Sequence, residues 1–234
     1  VNVFVLFCIA LIFMPISKVR LGGQEAVPEY SYLAWFAMLF AAGMGIGLLF
    51  FGVLEPVYHM NVSGPLGVPL PIAEDGSIIP ENVEAARAMG LAATFYHWGL
   101  HGWAVYAIMA LALALFTYNK GLPFSIRSCF YPLLGDRVWG WPGHIIDILA
   151  VFATLFGLAT SLGLGAQQAN AGFNFAFGLE ISTNVQVIII LLVTAVALVS
   201  VWRALDGGVK VLSEVNMIVA VLFFLFVLFV GPTL

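Results

Sequence analysis

Long apolar runs alternate along the chain with short segments that contain polar residues, proline or glycine. A helix needs about 20 apolar residues to cross roughly 30 Å of hydrocarbon, and six runs approach or exceed that length. The pattern therefore predicts six membrane spans, at residues 1–16, 30–60, 88–117, 143–173, 184–202 and 211–231.

The composition agrees with this interpretation. The 234 residues are 62% hydrophobic and 9% charged, and the mean hydropathy is +1.07. The surface of a soluble domain carries more charge than this. We therefore expect an all-α polytopic membrane protein whose solvent is the lipid bilayer, and we expect no nucleic acid partner.

Lysine and arginine are distributed unequally between the two sides of the predicted membrane. Only Arg87 lies on one side, whereas the other seven basic residues follow spans one, three and five: Lys18, Arg20, Lys120, Arg127, Arg137, Arg203 and Lys210. The positive-inside rule assigns these seven residues to the cytoplasmic face of the cell membrane. The first span then starts outside, and the chain opens on Val1 without an initiator Met, so we interpret it as part of a longer protein.

The stretch GMGIGLLFFGVLEP, residues 43–56, places three glycines at alternate positions in the second span. Gly43 and Gly47 are four residues apart and fit the small-residue pattern of close helix packing. Gly45 projects to the opposite side at about 100° per residue, so one packing seam does not explain all three. Three glycines in five residues favour a helix break, and in transporters the freed carbonyls commonly bind an ion or a substrate. The stretch therefore predicts either a packing seam or a cation site.

The stretch FYHWGLHGWAVYAI, residues 95–108, concentrates aromatic side chains in the third span. On a continuous helix, Trp98, Trp103 and Tyr106 share one arc of about 140°. Such rings either form an interfacial belt or bind a quaternary ammonium through their quadrupoles. No Asp or Glu occurs between residues 88 and 117, which favours an aromatic box.

Histidines offer an alternative from a different functional class. His97 and His101 are four residues apart, a spacing that suits metal ligation from one helix face. His59 and His144 lie near span ends, so we expect no second helix to supply a partner. We interpret Glu55 as an interfacial or packing residue. A metal-binding membrane subunit or enzyme that uses His97 and His101 remains an alternative.

Taken together, these segments resemble the betaine/choline/carnitine transporter family. The resemblance is carried by AAGMGIGLLFFGVLEP (41–56), FYHWGLHGWAVYAI (95–108), IDILAVFATLFGLATSLGLGAQQ (146–168) and VKVLSEVNMIVAVLFFLFVLFVGPT (209–233). It implies a LeuT-like five-plus-five inverted-repeat fold preceded by two peripheral helices. In that arrangement, residues 1–17 are the end of the second peripheral helix, residues 30–233 are the first repeat, and the second repeat is absent.

The resemblance also implies a substrate site. Trp98, Trp103 and Tyr106 correspond to part of an aromatic box, and the remaining rings belong to the missing repeat. The substrate is expected to lie beside the glycine motif, whose matching residues are Gly43, Met44, Gly45 and Gly47.

Sodium sites are implied in the same way. The backbone carbonyls of Ala41 and Met44 match one sodium site. Family members with glycine at the position of Gly47 resemble sodium-coupled transporters, and members with Asp there resemble proton-coupled ones. Thr154 matches one ligand of a second sodium site, but Leu158, which has no oxygen to offer, occupies the position of the other.

The sequence thus predicts a secondary active symporter for glycine betaine, choline, carnitine or a related onium solute. Sodium is the expected coupling ion, with no other cofactor and no covalent catalysis. A proton-coupled choline transporter is the alternative within the same class. A homotrimer is implied by some relatives. Because half of the box and half of the sodium site belong to the missing repeat, we expect that this chain alone does not transport.

Overall fold

The computed structural model describes residues 1–43, 45–62 and 67–231. Over these residues the chain forms nine α-helices, and short 3₁₀ or π turns flank several of them. The helices are α1 (Asn2–Phe13), α2 (Tyr32–Gly43), α3 (Ile46–Asn61), α4 (Pro80–Trp98), α5 (Leu100–Ala114), α6 (Tyr131–Leu134), α7 (Trp141–Phe177), α8 (Thr183–Trp202) and α9 (Lys210–Val230).

Within the described residues, four helical segments are long and apolar enough to cross a membrane: Pro80–Asn119, Trp141–Phe177, Thr183–Trp202 and Leu205–Val230. They correspond to the last four predicted spans. The all-α polytopic architecture is therefore confirmed. The second predicted span differs, because it consists of two shorter helices, α2 with 12 residues and α3 with 16.

The chain divides into two compact units. The first comprises Val1–Val27 and Gly52–Phe156, and the second comprises Pro28–Phe51 and Gly157–Leu234. In the first unit α1 packs against α5. The Cys8 thiol of α1 donates a hydrogen bond to the carbonyl of Ala104 at 3.7 Å.

Two polar contacts fix the connections of the first unit. The side-chain amide of Asn119 donates to the carbonyl of Arg20 at 2.8 Å, which holds the segment after α1 against the end of α5. The guanidinium of Arg127 pairs with the carboxylate of Asp147 in α7. The backbone N–H of Arg127 also donates to Asp147 Oδ1 at 3.1 Å. Both charges are partly buried and each has a partner, as burial requires.

In the second unit α2 packs against α9. Ala34 and Ala37 on α2 are buried, as is Ser213 on α9, and small side chains of this kind let membrane helices approach closely. The turn from α7 to α8 is closed by the buried Asn170. Its amide donates to the carbonyl of Glu180 at 3.0 Å and accepts from the N–H of Ser182 at 3.2 Å.

Candidate functional site

The glycine motif interrupts the second predicted span. Helix α2 ends at Gly43, Gly45 lies in a bend, and α3 begins at Ile46. The break that the glycines predict is therefore present. Gly47 lies in the first turn of α3. Met44, which the resemblance assigns to both the substrate and the sodium site, lies outside the described residues.

The break has a direct consequence for the backbone of α2. The last four carbonyls of an α-helix lack an intrahelical N–H partner, and Ala41 is among the last four residues of α2. Such carbonyls inside a membrane must be satisfied by another group. A carbonyl oxygen at the negative end of the helix dipole is a suitable ligand for a hard cation. Ala41 thus has the chemistry that its predicted role needs.

The aromatic residues form a cluster in the first unit. The rings of Trp103 and Tyr106 on α5 lie with their centroids 5.8 Å apart. The indole N–H of Trp103 donates to the backbone carbonyl of Trp98 at 3.1 Å. The structure therefore brings Trp103 and Tyr106 together and links Trp103 to the end of α4. The residues of the glycine motif up to Phe51 belong to the second unit.

The expectation of one continuous helix through this cluster is wrong. Helix α4 ends at Trp98, α5 begins at Leu100, and Gly99 between them has ψ −151°. A Cβ at Gly99 would clash with the carbonyl of Phe95, and one at Gly102 would lie 2.8 Å from the carbonyl of His97. The shared arc of Trp98 with the other two rings was derived for an unbroken helix and loses that basis, so the role of Trp98 in the box stays a prediction. Gly99 and Gly102, in the stretch WGLHG (98–102), are the sequence signal that indicates a break here.

The histidines do not act as the predicted pair. His97 lies on α4 and His101 on α5, and His101 packs against the ring of Tyr96 with centroids 4.4 Å apart. His97 finds its partners on α3 instead. Its Nδ1 lies 3.1 Å from Glu55 Oε2, and its ring centroid lies 5.3 Å from that of His59. The expectation that no second helix supplies a partner is therefore wrong, and Glu55 contacts histidines on both α3 and α4.

Thr154 lies on α7, and its hydroxyl donates to the carbonyl of Ala150 one turn earlier at 2.9 Å. A hydroxyl that donates in this way keeps its lone pairs for a cation. The side chain of Leu158, one turn later, is exposed. The role of Thr154 as a sodium ligand stays a prediction.

Comparison with known proteins decides the family. The family model described as BCCT, betaine/carnitine/choline family transporter, matches residues 1–234. The chain belongs to this family. Members are multi-pass membrane transporters and not enzymes, which agrees with the apolar helices and removes the support for an enzyme based on His97 and His101.

Several transporters are similar to this chain. A glycine betaine/proline/choline transporter of Vibrio parahaemolyticus is 57% identical over 238 residues, which cover 100% of this chain and 43% of that protein. Glycine betaine transporter 1 of the same organism is 57% identical over 98% of this chain and 42% of its own length. The glycine betaine transporter OpuD of Bacillus subtilis is 49% identical over 100% of this chain and 43% of its own length. The chain thus spans less than half the length of these relatives.

Proposed function

We propose that this chain is the part of a sodium-coupled symporter that supplies the coupling-ion carbonyls and one wall of the substrate box. The substrate is an onium compatible solute of the glycine betaine type. The observation that carries the proposal is the helix break between Gly43 and Ile46. A helix break inside a predicted span frees backbone carbonyls, which a bound ion can satisfy.

The charge distribution around the break supports the choice of a zwitterionic solute. The C-terminal end of α2 carries partial negative charge, whereas the N-terminal end of α3 carries partial positive charge. Paired half-helix ends of this kind suit a sodium ion and a substrate carboxylate respectively. Gly47 in the first turn of α3 lets the backbone approach either group closely.

Separate observations support binding of the cationic part of the substrate by aromatic rings. Trp103 and Tyr106 offer two ring faces to a trimethylammonium or dimethylsulfonium group, which binds aromatic rings through their quadrupoles. The absence of Asp and Glu between residues 88 and 117 leaves the rings as the groups that attract a cation in this span. The relatives named above include transporters of glycine betaine, choline and proline.

The coupling between sodium binding and substrate binding follows from thermodynamic linkage. Sodium that satisfies the freed carbonyls orders the break and so favours the conformation that binds the substrate. Coupling free energies of this kind are typically about 1–3 kcal/mol, or roughly 5- to 150-fold in affinity. The substrate must raise the affinity for sodium by the same factor.

The test is equilibrium binding of radiolabelled glycine betaine to the purified full-length protein, with sodium replaced stepwise by potassium at constant ionic strength. We expect the betaine Kd to fall at least about fivefold as sodium rises. An unchanged Kd in potassium would contradict sodium coupling. Absence of betaine binding, with binding of labelled choline or carnitine, would contradict the choice of substrate and leave the coupling to be measured with that solute.

A further inference from the structure

Three side chains with metal-binding chemistry meet at a place that the proposed transport site does not use. Glu55 and His59 lie one turn apart on α3, and His97 lies on α4. Glu55 Oε2 is 3.1 Å from His97 Nδ1 and 3.9 Å from His59 Nε2. One ligand atom from each of the three residues lies within 4.8 Å of the others. We refer to these residues as the Glu55–His59–His97 cluster.

The donor set indicates which ions suit the cluster. Two imidazoles and one carboxylate are typical ligands of zinc and of other borderline divalent transition metals, whereas sodium, magnesium and calcium prefer oxygen ligands. Tetrahedral bonds of about 2.0–2.1 Å separate ligand atoms by about 3.3 Å. The Glu55 and His97 atoms already lie at such a separation. His59 Nε2 lies somewhat farther from Glu55 Oε2, at 3.9 Å, and a water molecule would supply a fourth ligand.

The backbone beneath the cluster is closely packed. A Cβ at Gly90 of α4 would lie 2.5 Å from the carbonyl of Pro56 and 3.1 Å from the N–H nitrogen of Met60. His59 lies between these two residues in α3, and His97 follows Gly90 by two helical turns on the same face of α4. The glycine therefore holds the two helices at a separation that short side chains can bridge.

The cluster is open to an ion on one side. The side chains of Glu55 and His59 are 16% and 20% exposed, whereas that of His97 is 47% exposed. The connection between α3 and α4 lies on the predicted outer side and carries Glu74 and Asp75, and Glu81 and Glu84 follow in the first two turns of α4. Such residues raise the local concentration of cations. External cations are thus concentrated on the side of the membrane at which α3 ends and α4 begins.

We propose that Glu55, His59 and His97 bind one zinc ion, which joins α3 to α4. The site uses none of the residues assigned to the substrate or to sodium, and metal binding can be measured without transport, so its test does not depend on the proposed transport function. The competing explanation is an ion pair between Glu55 and protonated His97 that holds no metal.

The experiment uses the full-length protein, purified without a histidine tag and stripped with a chelator. Zinc chloride is titrated by calorimetry, and cobalt chloride is titrated by its visible absorption. We expect one equivalent of zinc and the intense absorption bands of tetrahedral cobalt. In His59→Gln, His97→Gln and Glu55→Gln, we expect the zinc affinity to fall at least about 100-fold, since even changes behind the ligands cost 10- to 100-fold.

His101→Gln and His144→Gln are the matched controls, because they remove the two histidines of this chain that do not belong to the cluster. Both are expected to bind zinc as the unmodified protein does. Three results would overturn the proposal: no zinc binding by the stripped protein, unchanged binding in all three cluster variants, or loss of binding in a control that stays folded.

A measurement on the unmodified protein tests the proposal even if the variants do not fold. X-ray absorption at the zinc edge is expected to give only nitrogen and oxygen neighbours at about 2.0–2.1 Å, with the scattering pattern of two imidazoles. A sulfur shell at about 2.3 Å would place the ion on cysteines instead and contradict the proposal. Burial raises the pKa of the Cys129 thiol, which makes Cys129 a poorer zinc ligand.

Discussion

The indole of Trp103 is held by two different contacts. Its N–H donates to the carbonyl of Trp98, and its ring lies beside that of Tyr106. The hydrogen bond fixes the plane of the ring, so little rotamer entropy is lost when a ligand binds its face. A ring that is fixed in advance suits recognition of an onium group.

The first prediction concerns this ring. Trp103→Ala is expected to raise the Kd for glycine betaine by roughly 2- to 30-fold, the equivalent of a cation–π contribution of about 0.5–2 kcal/mol. Trp103→Phe keeps a ring but loses the hydrogen bond to Trp98, so its effect is expected to be smaller. The measurement is betaine binding at saturating sodium.

Trp139 provides the matched control for Trp103. Its exposed fraction is 41%, against 39% for Trp103, and its ring pairs with that of Tyr131 at a centroid distance of 6.5 Å. Trp139→Ala is expected to leave the betaine Kd unchanged. If Trp103→Ala and Trp139→Ala lose betaine affinity equally, removal of a tryptophan acts through the stability of the protein and not through the aromatic box.

The helix break at the glycine motif gives the second prediction. A Cβ at Gly45 would meet no atom within 4 Å, so alanine fits there and changes mainly the local preference for helix. Alanine favours helix over glycine by about 1 kcal/mol. Gly45→Ala is therefore expected to favour closure of the break and to raise the sodium concentration for half-maximal betaine binding by up to about fivefold.

Gly52 is the control for this change, because it lies inside α3 and a Cβ there also meets no atom within 4 Å. Gly52→Ala strengthens the helix without acting on the break, and the sodium dependence is expected to stay the same. If Gly45→Ala also leaves it unchanged, the break does not contribute to sodium binding.

The contact between α3 and α4 gives the third prediction. Because the backbone of Pro56 occupies the place of a Cβ at Gly90, Gly90→Ala must push the helices apart. Overpacking of this kind typically costs about 1–3 kcal/mol. We expect a lower melting temperature for the full-length protein in detergent. Gly163→Ala in α7, where the added Cβ meets nothing, is expected to leave it the same or higher. A Gly90→Ala protein as stable as Gly163→Ala would contradict this packing.

Much of the helical pattern could be predicted from the sequence, since hydropathy and glycine spacing are local signals. The break near Gly45 belongs to this class. Helix α4 begins at Pro80, whereas the predicted span begins at residue 88. The first turns of α4 are polar, so hydropathy does not indicate them, and only Pro80 and Glu81 mark the start of the helix. Hydropathy also does not change at Gly99, so the second break was missed.

The candidate site was predictable only in part. The pairing of Trp103 with Tyr106 follows from their i, i+3 spacing on one helix. The contact of Glu55 with His97 joins residues 42 positions apart, and it depends on the tertiary packing of α3 on α4. No local pattern carries that information, although the spacing of Glu55 and His59 places both on one helix face.

At the scale of the whole molecule, the distribution of basic residues predicts the orientation. Glu74 lies in the predicted outer connection before α4, and Arg137 lies in the predicted inner connection before α7. In a cysteine-free background, Glu74→Cys is expected to react with a membrane-impermeant maleimide in intact cells. Arg137→Cys is expected to react only after permeabilisation. The reverse pattern would invert the topology and place the Glu55–His59–His97 cluster on the cytoplasmic side.

The most direct test of the central claim is uptake of radiolabelled glycine betaine by proteoliposomes that contain the full-length protein. One set of vesicles receives an inward sodium gradient, and a second set receives an equal inward proton gradient without sodium. Sodium-driven accumulation that is reduced in Trp103→Ala is the predicted result. Accumulation driven by protons alone would contradict the interpretation of Gly47, and with it the assignment of the glycine break as a sodium site.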